Sequence, residues 1–87
     1  MLRRRPKPVV TVYTRQGCGL CRTAEQVVAR VARGRAEVRL VDIDRDETLR
    51  DRYTVRVPVV AVDGREIAEH QVDPATLRQA LRAARRP

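Results

Sequence analysis

The stretch VVTVYTRQGCGLC, Val9 to Cys21, decides how the rest of the chain is read. Its first six residues are β-branched apart from Tyr13, and they are bounded by Pro8 and by the Gln16-Gly17 break, so Val9 to Thr14 is expected to be a strand. That strand delivers Gly17 and Cys18 at its carboxyl end. From Cys18 to about Arg33 the apolar residues Leu20, Ala24, Val27, Val28 and Val31 recur at three- and four-residue spacing, which lines one face of a helix, and Gly34 is placed to end it.

Working outward, Glu37 to Ile43 (EVRLVDI) alternates apolar and charged residues and reads as a second strand. Strand, helix and strand within some 35 residues have the length of a right-handed parallel crossover. Asp44 or Asp46 is placed to cap a short second helix, Glu47 to Tyr53, with acids in its first turn and Arg50 and Arg52 in its last. Val57 to Val62 (VPVVAV) is a third strand, Asp63-Gly64 is a strong hairpin signal, and Arg65 to Glu69 is the partner strand. Asp73-Pro74 then supplies a cap and a first-turn proline for a closing helix lined by Leu77, Ala80, Leu81 and Ala84. The expected fold is α/β, in the order β-α-β-α-β-β-α.

Length and composition fit one small domain. Chains split into several cores only well beyond 87 residues, and a core this thin leaves room for surface grooves rather than an enclosed large cofactor. Tyr13 and Tyr53 are the sole aromatics, so Val, Leu, Ile and Ala must build the core. The net charge of +8, nearly all from Arg, invites a nucleic-acid reading. Counting by segment removes it: residues 1–7 carry four bases and residues 82–87 three, leaving twelve bases against eleven acids between them. The excess is read as a basic N-terminal tail, residues 1–8, and a C-terminal tail, residues 85–87, around a domain spanning 9–84. Aromatic platforms for stacking bases are lacking, so no specific nucleic-acid partner is expected. No apolar run approaches the ~18 residues of a membrane helix. Val9 to Tyr13 is too short for the apolar segment of a signal peptide. A soluble cytoplasmic protein is expected, in a compartment where a close Cys pair is more often catalytic or metal-binding than structural.

Cys18 and Cys21 form a C-x-x-C motif after a strand, at the first turn of a helix, inside a strand-helix-strand unit, the context that marks a redox pair. A thiolate attacks a disulfide, and an ordinary thiol is mostly protonated at neutral pH. Cys18 at a helix N-terminus faces unpaired backbone N–H groups and the positive end of the helix dipole, which favour the thiolate, and Arg15 and Arg22 flank it. Cys21, three residues on, returns to the same face within reach of Cys18 and can resolve a mixed disulfide. The competing readings are thiolate binding of Cu(I), Zn²⁺ or an iron–sulfur cluster shared between two chains, a redox sensor without turnover, and plain core packing. A four-ligand zinc site within the chain fails on inventory, because His70 is the only histidine. A ferredoxin-like metal chaperone would order its elements β-α-β-β-α-β, against the late Asp63-Gly64 hairpin. No metal and no bound cofactor are expected.

With VTVYTRQGCGLC, VDIDRDETLRDRY and RVPVVAVDG in this order, the chain resembles the glutaredoxin branch of the thioredoxin superfamily, in particular its short bacterial glutaredoxin-like members. The resemblance spans roughly Val9 to Ala84. It implies a four-stranded mixed sheet flanked by helices and a dithiol-disulfide oxidoreductase with Cys18 as nucleophile and Cys21 as resolving thiol. It also implies a cis-proline at Pro58 beside the disulfide, with the Val57 backbone pairing to an extended thiol substrate. The plainer alternative is a trans proline opening an edge strand. Arg15 and Gly17, on the approach to Cys18, complete the expected substrate-contacting set with Val57 and Pro58. The partners implied are a protein or small-molecule disulfide and an external reductant, either glutathione or a thioredoxin-reductase system, acting on a monomer. The motif here is Cys-Gly-Leu-Cys rather than Cys-Pro-Tyr-Cys. His70-Gln71-Val72-Asp73 stands where glutathione-using members carry a Gly-Gly turn and an acid, so the sequence names neither reductant.

Other candidates have plainer readings. Asp42, Asp44 and Asp46 lack the glycine and terminal glutamate of a calcium loop and read as caps. His70 reads as an exposed polar residue, although its ordinary pKa suits a proton carrier. Tyr13 either borders the site or packs in the core.

Overall fold

The computed structural model describes residues 6–84. The expected tails at 1–5 and 85–87 lie outside that range, while Pro8 is buried and its carbonyl accepts from the Glu37 N–H at 2.9 Å. Ordered pairing thus begins one residue before the first strand.

The elements are β1 (Val9–Thr14), α1 (Gly19–Ala32), β2 (Glu37–Asp42), a 3₁₀ turn (Ile43–Arg45), α2 (Glu47–Tyr53), β3 (Val59–Val62), β4 (Arg65–Glu69) and α3 (Pro74–Ala84). The four strands form one sheet in the order β2-β1-β3-β4. β1 pairs parallel with β2 and antiparallel with β3, and β3 pairs antiparallel with β4. This is the β-α-β-α-β-β-α thioredoxin-like order read from the sequence.

Alternation along β1 divides the core in two. Val10 and Val12 point to one face, where they pack with Val28 and Val31 of α1 and Leu77 and Leu81 of α3. Tyr13 points to the other, where it packs against Ile43, Tyr53 and Val59. Its ring stacks on that of Tyr53 with centroids 4.3 Å apart, so both aromatics serve the smaller core. β3 is buried along its whole length, as the unbroken apolar run VVAV requires of a strand covered on both faces.

Two strands depart from the sequence reading. β2 ends at Asp42 rather than Ile43, because the Asp42 carboxylate accepts the Asp44 N–H at 2.9 Å and starts the 3₁₀ turn. As an edge strand it is covered on one side only, and Leu40 stays 55% exposed. β3 begins at Val59 rather than Val57, because the Val57 N–H is taken by the Tyr53 carbonyl and Pro58, whose peptide bond is cis, has no N–H to give the ladder. Its hairpin turns at Asp63 and Gly64 with φ of 49° and 84°, the left-handed pair that a two-residue connection needs. The caps follow the reading: Asp46 accepts the Leu49 N–H at 3.1 Å to start α2, and Asp73 accepts the Ala75 N–H at 3.1 Å to start α3.

Leu77 is fully buried at the centre of the larger core. Leu77→Ala is expected to lower stability by about 2–5 kcal/mol in urea unfolding, the usual cost of a cavity at such a site. Leu40→Ala on the exposed edge is expected to stay within about 0.5 kcal/mol.

Candidate active site

The reactive end of the molecule is set by where β1 stops. After Thr14 the chain turns through Arg15, Gln16 and Gly17, and Gly17 takes a φ of +75° that a side chain would disfavour. No atom crowds Gly17, so its value is backbone freedom rather than space. The turn places Cys18 as the N-cap of α1, where its sulfur accepts the Cys21 N–H at 3.1 Å. Cys18 and Cys21 are joined in a disulfide with Cα atoms 5.2 Å apart. Cys18 is partly exposed, whereas Cys21 has no exposed surface. The first turn of α1 carries no acid, so the helix dipole at Cys18 is unopposed from within the helix.

The two flanking cations are engaged elsewhere. Arg15 donates to both carboxylate oxygens of Asp44, at 3.1 and 2.6 Å. That contact holds the Asp44 carboxyl below its ordinary range and raises the guanidinium above its own. Arg22 donates to Glu25 at 2.6 Å and to the Arg15 carbonyl and Thr14 hydroxyl, each at 3.0 Å. Thr14 in turn donates to Glu25 at 2.5 Å. The expected positive potential at Cys18 is therefore partly cancelled by carboxylates. The Cys21 N–H is the donor that reaches its sulfur, and the two arginines brace the turn that carries it.

Antiparallel pairing of Tyr13 with Val59, continued one residue, brings Pro58 beside Thr14 at the cysteine end of the sheet. The His70 N–H donates to the Pro58 carbonyl at 2.7 Å, and His70 Nε2 lies 2.9 Å from the Val55 carbonyl. A carbonyl only accepts, so Nε2 carries the hydrogen. Arg56 donates to Glu69 at 2.8 Å and to Glu66, tying the same loop to β4. The Val57 N–H is taken by the Tyr53 carbonyl at 3.1 Å, so this half of the backbone pairing expected of Val57 is already used within the chain.

Thr14, Glu25 and Arg56 carry no expectation from the sequence as site-building residues, and His70, read as an exposed polar residue, is exposed. Thr14 did carry a signal, being a polar residue at an inward position of β1 in phase with Val10 and Val12. Arg22 and Glu25 stand three apart on one helix, a spacing that pairs opposite charges. Nothing in the order of residues marks the partners of Arg56 or His70, which come from another strand or loop. Among the described residues no group of three or more His, Cys, Asp or Glu is arranged to hold a metal, and no helix is long and apolar enough to cross a membrane.

Arg56 holds the Glu66 carboxyl below its usual 4.5. A lowered folded-state value means that this contact adds stability above the ordinary pKa and loses it as pH falls through the lowered one. In an NMR titration the Glu66 side-chain carbon is expected to titrate below 4.5 in the native chain and to move upward in Arg56→Gln. Equal titration in both proteins would contradict the contact.

Comparison with known proteins agrees with this geometry. Residues 9–82 match the family described as Glutaredoxin-like domain (DUF836). An uncharacterized protein of Mycobacterium tuberculosis is 35% identical over 78 residues, covering 83% of this chain and 80% of its own. The X-ray structure of a structural-genomics target from X. campestris superposes with a TM-score of 0.71 at 36% identity, over 85% of this chain and 96% of that one. A mutant thioredoxin from Halobacterium salinarum gives 0.70 at 26% identity, over 94% and 78% of the two chains. With Cys18 capping the helix after β1 and bonded to Cys21 in its first turn, and a family match over nearly the whole fold, the chain belongs to the glutaredoxin-like domain family of the thioredoxin superfamily.

Proposed function

We propose that the chain is a dithiol-disulfide oxidoreductase in which Cys18 attacks and Cys21 resolves. The observation that carries this reading is the asymmetry of the pair. Cys18 is partly exposed at a helix N-cap, with the Cys21 N–H on its sulfur, and Cys21 is buried behind it. An N–H donor and the dipole both favour the anion over the thiol. In the reduced protein the Cys18 thiolate attacks one sulfur of a substrate disulfide, and that bond breaks to release one thiolate, which takes up a proton. Cys21 then gives up its proton and attacks the Cys18 sulfur, releasing the second substrate thiol. Two electrons pass to the substrate, and the chain is left with the Cys18-Cys21 disulfide found in the structure.

Substrate contacts follow from the same placement. The Val57 carbonyl pairs with an extended substrate and Pro58 packs beside its sulfur, Gly17 lets the turn approach it, and Arg15 acts through the bracing of that turn. The chemistry is complete within one chain, so a monomer suffices. An external thiol reductant, glutathione or a thioredoxin-reductase system, restores the dithiol in the cytoplasm, where disulfides are kept reduced.

Alkylation of the reduced protein at pH 7, read by peptide mass spectrometry, is expected to be at least about tenfold faster at Cys18 than at Cys21. Cys21→Ser is expected to accumulate a mixed disulfide on Cys18. Equal rates at free-cysteine speed would overturn the assignment of roles. NADPH-coupled turnover with glutathione and glutathione reductase, run beside thioredoxin reductase, identifies the reductant.

A further inference from the structure

A groove of about 220 Å³ lies between the turn after α1 and α3, with buried Leu81 at its floor and Arg35, Arg78 and Arg82 around it. We propose that it binds the phosphate chain of a compact polyanion, of the di- or triphosphate class, at a site separate from the cysteine pair. α1 has 14 residues and carries Cys18 at its other end, so about 20 Å of helix separates the two. The inference goes beyond the disulfide chemistry and does not depend on it.

The first observation is how charge is divided. From Gln26 to Ala36 the chain has Arg30, Arg33 and Arg35 and no acid, and from Pro74 to Ala84 it has Arg78 and Arg82 and no acid. Elsewhere in residues 6–84 nine bases stand against eleven acids. Val28 and Val31 of α1 pack with Leu77 and Leu81 of α3, so the two acid-free segments meet on one face of the sheet. The second is the lack of internal partners. Among the described residues no carboxylate lies within ion-pair distance of these five arginines, whereas six of the others each hold one. Glu37, the acid next along the chain from Arg35, is taken by Arg39 at 3.0 Å. Arg78 and Arg82 stand four apart on one helix, a spacing at which like charges repel, and an anion between them removes the repulsion.

The third is the kind of donor and its arrangement. The Arg35 guanidinium is anchored by donating to the Val31 carbonyl at 3.2 Å, and the other two come from α3. Guanidinium forks match phosphate oxygens two by two. A phosphate chain concentrates several charges in a small volume and has oxygens on every side, so it can meet all three forks, whereas a carboxylate occupies one. Single-stranded nucleic acid needs stacking platforms as well as charge, and both tyrosines pack in the smaller core on the opposite side of the sheet.

The test is calorimetric titration of the protein with inorganic tripolyphosphate at low salt, beside ATP, orthophosphate and a single-stranded oligonucleotide. One tripolyphosphate is expected to bind per chain, at least about tenfold more tightly than orthophosphate. Arg78→Gln/Arg82→Gln is expected to weaken it at least about tenfold, the loss of a charge-assisted hydrogen bond or more. Arg45→Gln/Arg52→Gln removes the same charge on the α2 side and is expected to change the affinity by no more than about twofold. Amide NMR shifts on adding tripolyphosphate to the unsubstituted protein are expected around Arg35, Arg78 and Arg82, with Cys18 and Cys21 unmoved, a readout that no variant's folding can affect. Equal binding of ATP and tripolyphosphate supports recognition of the phosphate chain alone, and tighter ATP supports a nucleotide as its source. Orthophosphate binding as tightly as tripolyphosphate, equal weakening in the two double variants, or shifts centred away from the groove would overturn the inference. So would an oligonucleotide that outcompetes tripolyphosphate at equal phosphate concentration.

Discussion

The Cys21 N–H pointing at the Cys18 sulfur is the contact around which the reactive end is organised. It exists because three things coincide: β1 ends at Thr14, Gly17 takes a left-handed turn, and the next residue caps a helix. Sulfur in an N-cap position takes the place that a Ser or Asp oxygen fills elsewhere, and a thiolate satisfies the free N–H groups there better than a thiol does. The placement of that sulfur is thus a by-product of ordinary helix termination. Burial of Cys21 one turn later follows from the same helix, whose inward stripe it shares with Ala24, Val28 and Val31.

Around this contact the charged residues act as braces. Arg15 spans from the β1-α1 turn to Asp44, Arg22 closes on Glu25 and Thr14, and Arg56 fastens the cis-proline loop to Glu66 and Glu69. Exposed ion pairs add little to global stability, since each exchanges hydration for a screened attraction. Their effect here is local. These pairs tie the β1-α1 turn to Asp44 and the cis-proline loop to β4. The arginine-rich composition that suggests an acidic polymer is, within the described residues, partly consumed in this bracing.

The broad groove of about 490 Å³ between α3 and the hairpin lies at the far end of the molecule from the disulfide. Its lining includes Val62, Asp63 and Ala84, at the end of the sheet where β1 begins and α3 finishes. A smaller groove beside Leu20 is the one that touches the motif. Size alone therefore does not point to the motif, whereas the presence of Leu20 in the lining does.

Much of the fold was legible in the sequence because it is carried by local rules. The β-branched run of β1, the spacing of Leu20, Ala24, Val28 and Val31, the Asp46 and Asp73 caps and the Asp63-Gly64 turn each express a preference of a few neighbouring residues. The C-x-x-C motif was legible for the same reason, since its meaning comes from the strand before it and the helix it opens. What only the tertiary structure decided depends on residues far apart in the chain. Eighteen arginines and eleven acids offer too many pairings for sequence to choose Arg15 with Asp44 or Arg56 with Glu66. Proline restricts φ but leaves cis and trans close in energy, so the isomer at Pro58 is set by the strand and loop around it. The exposure of Leu40, the burial of Thr14 and the bond from His70 to Val55 likewise follow from which elements become neighbours, and neighbours are a property of the folded sheet.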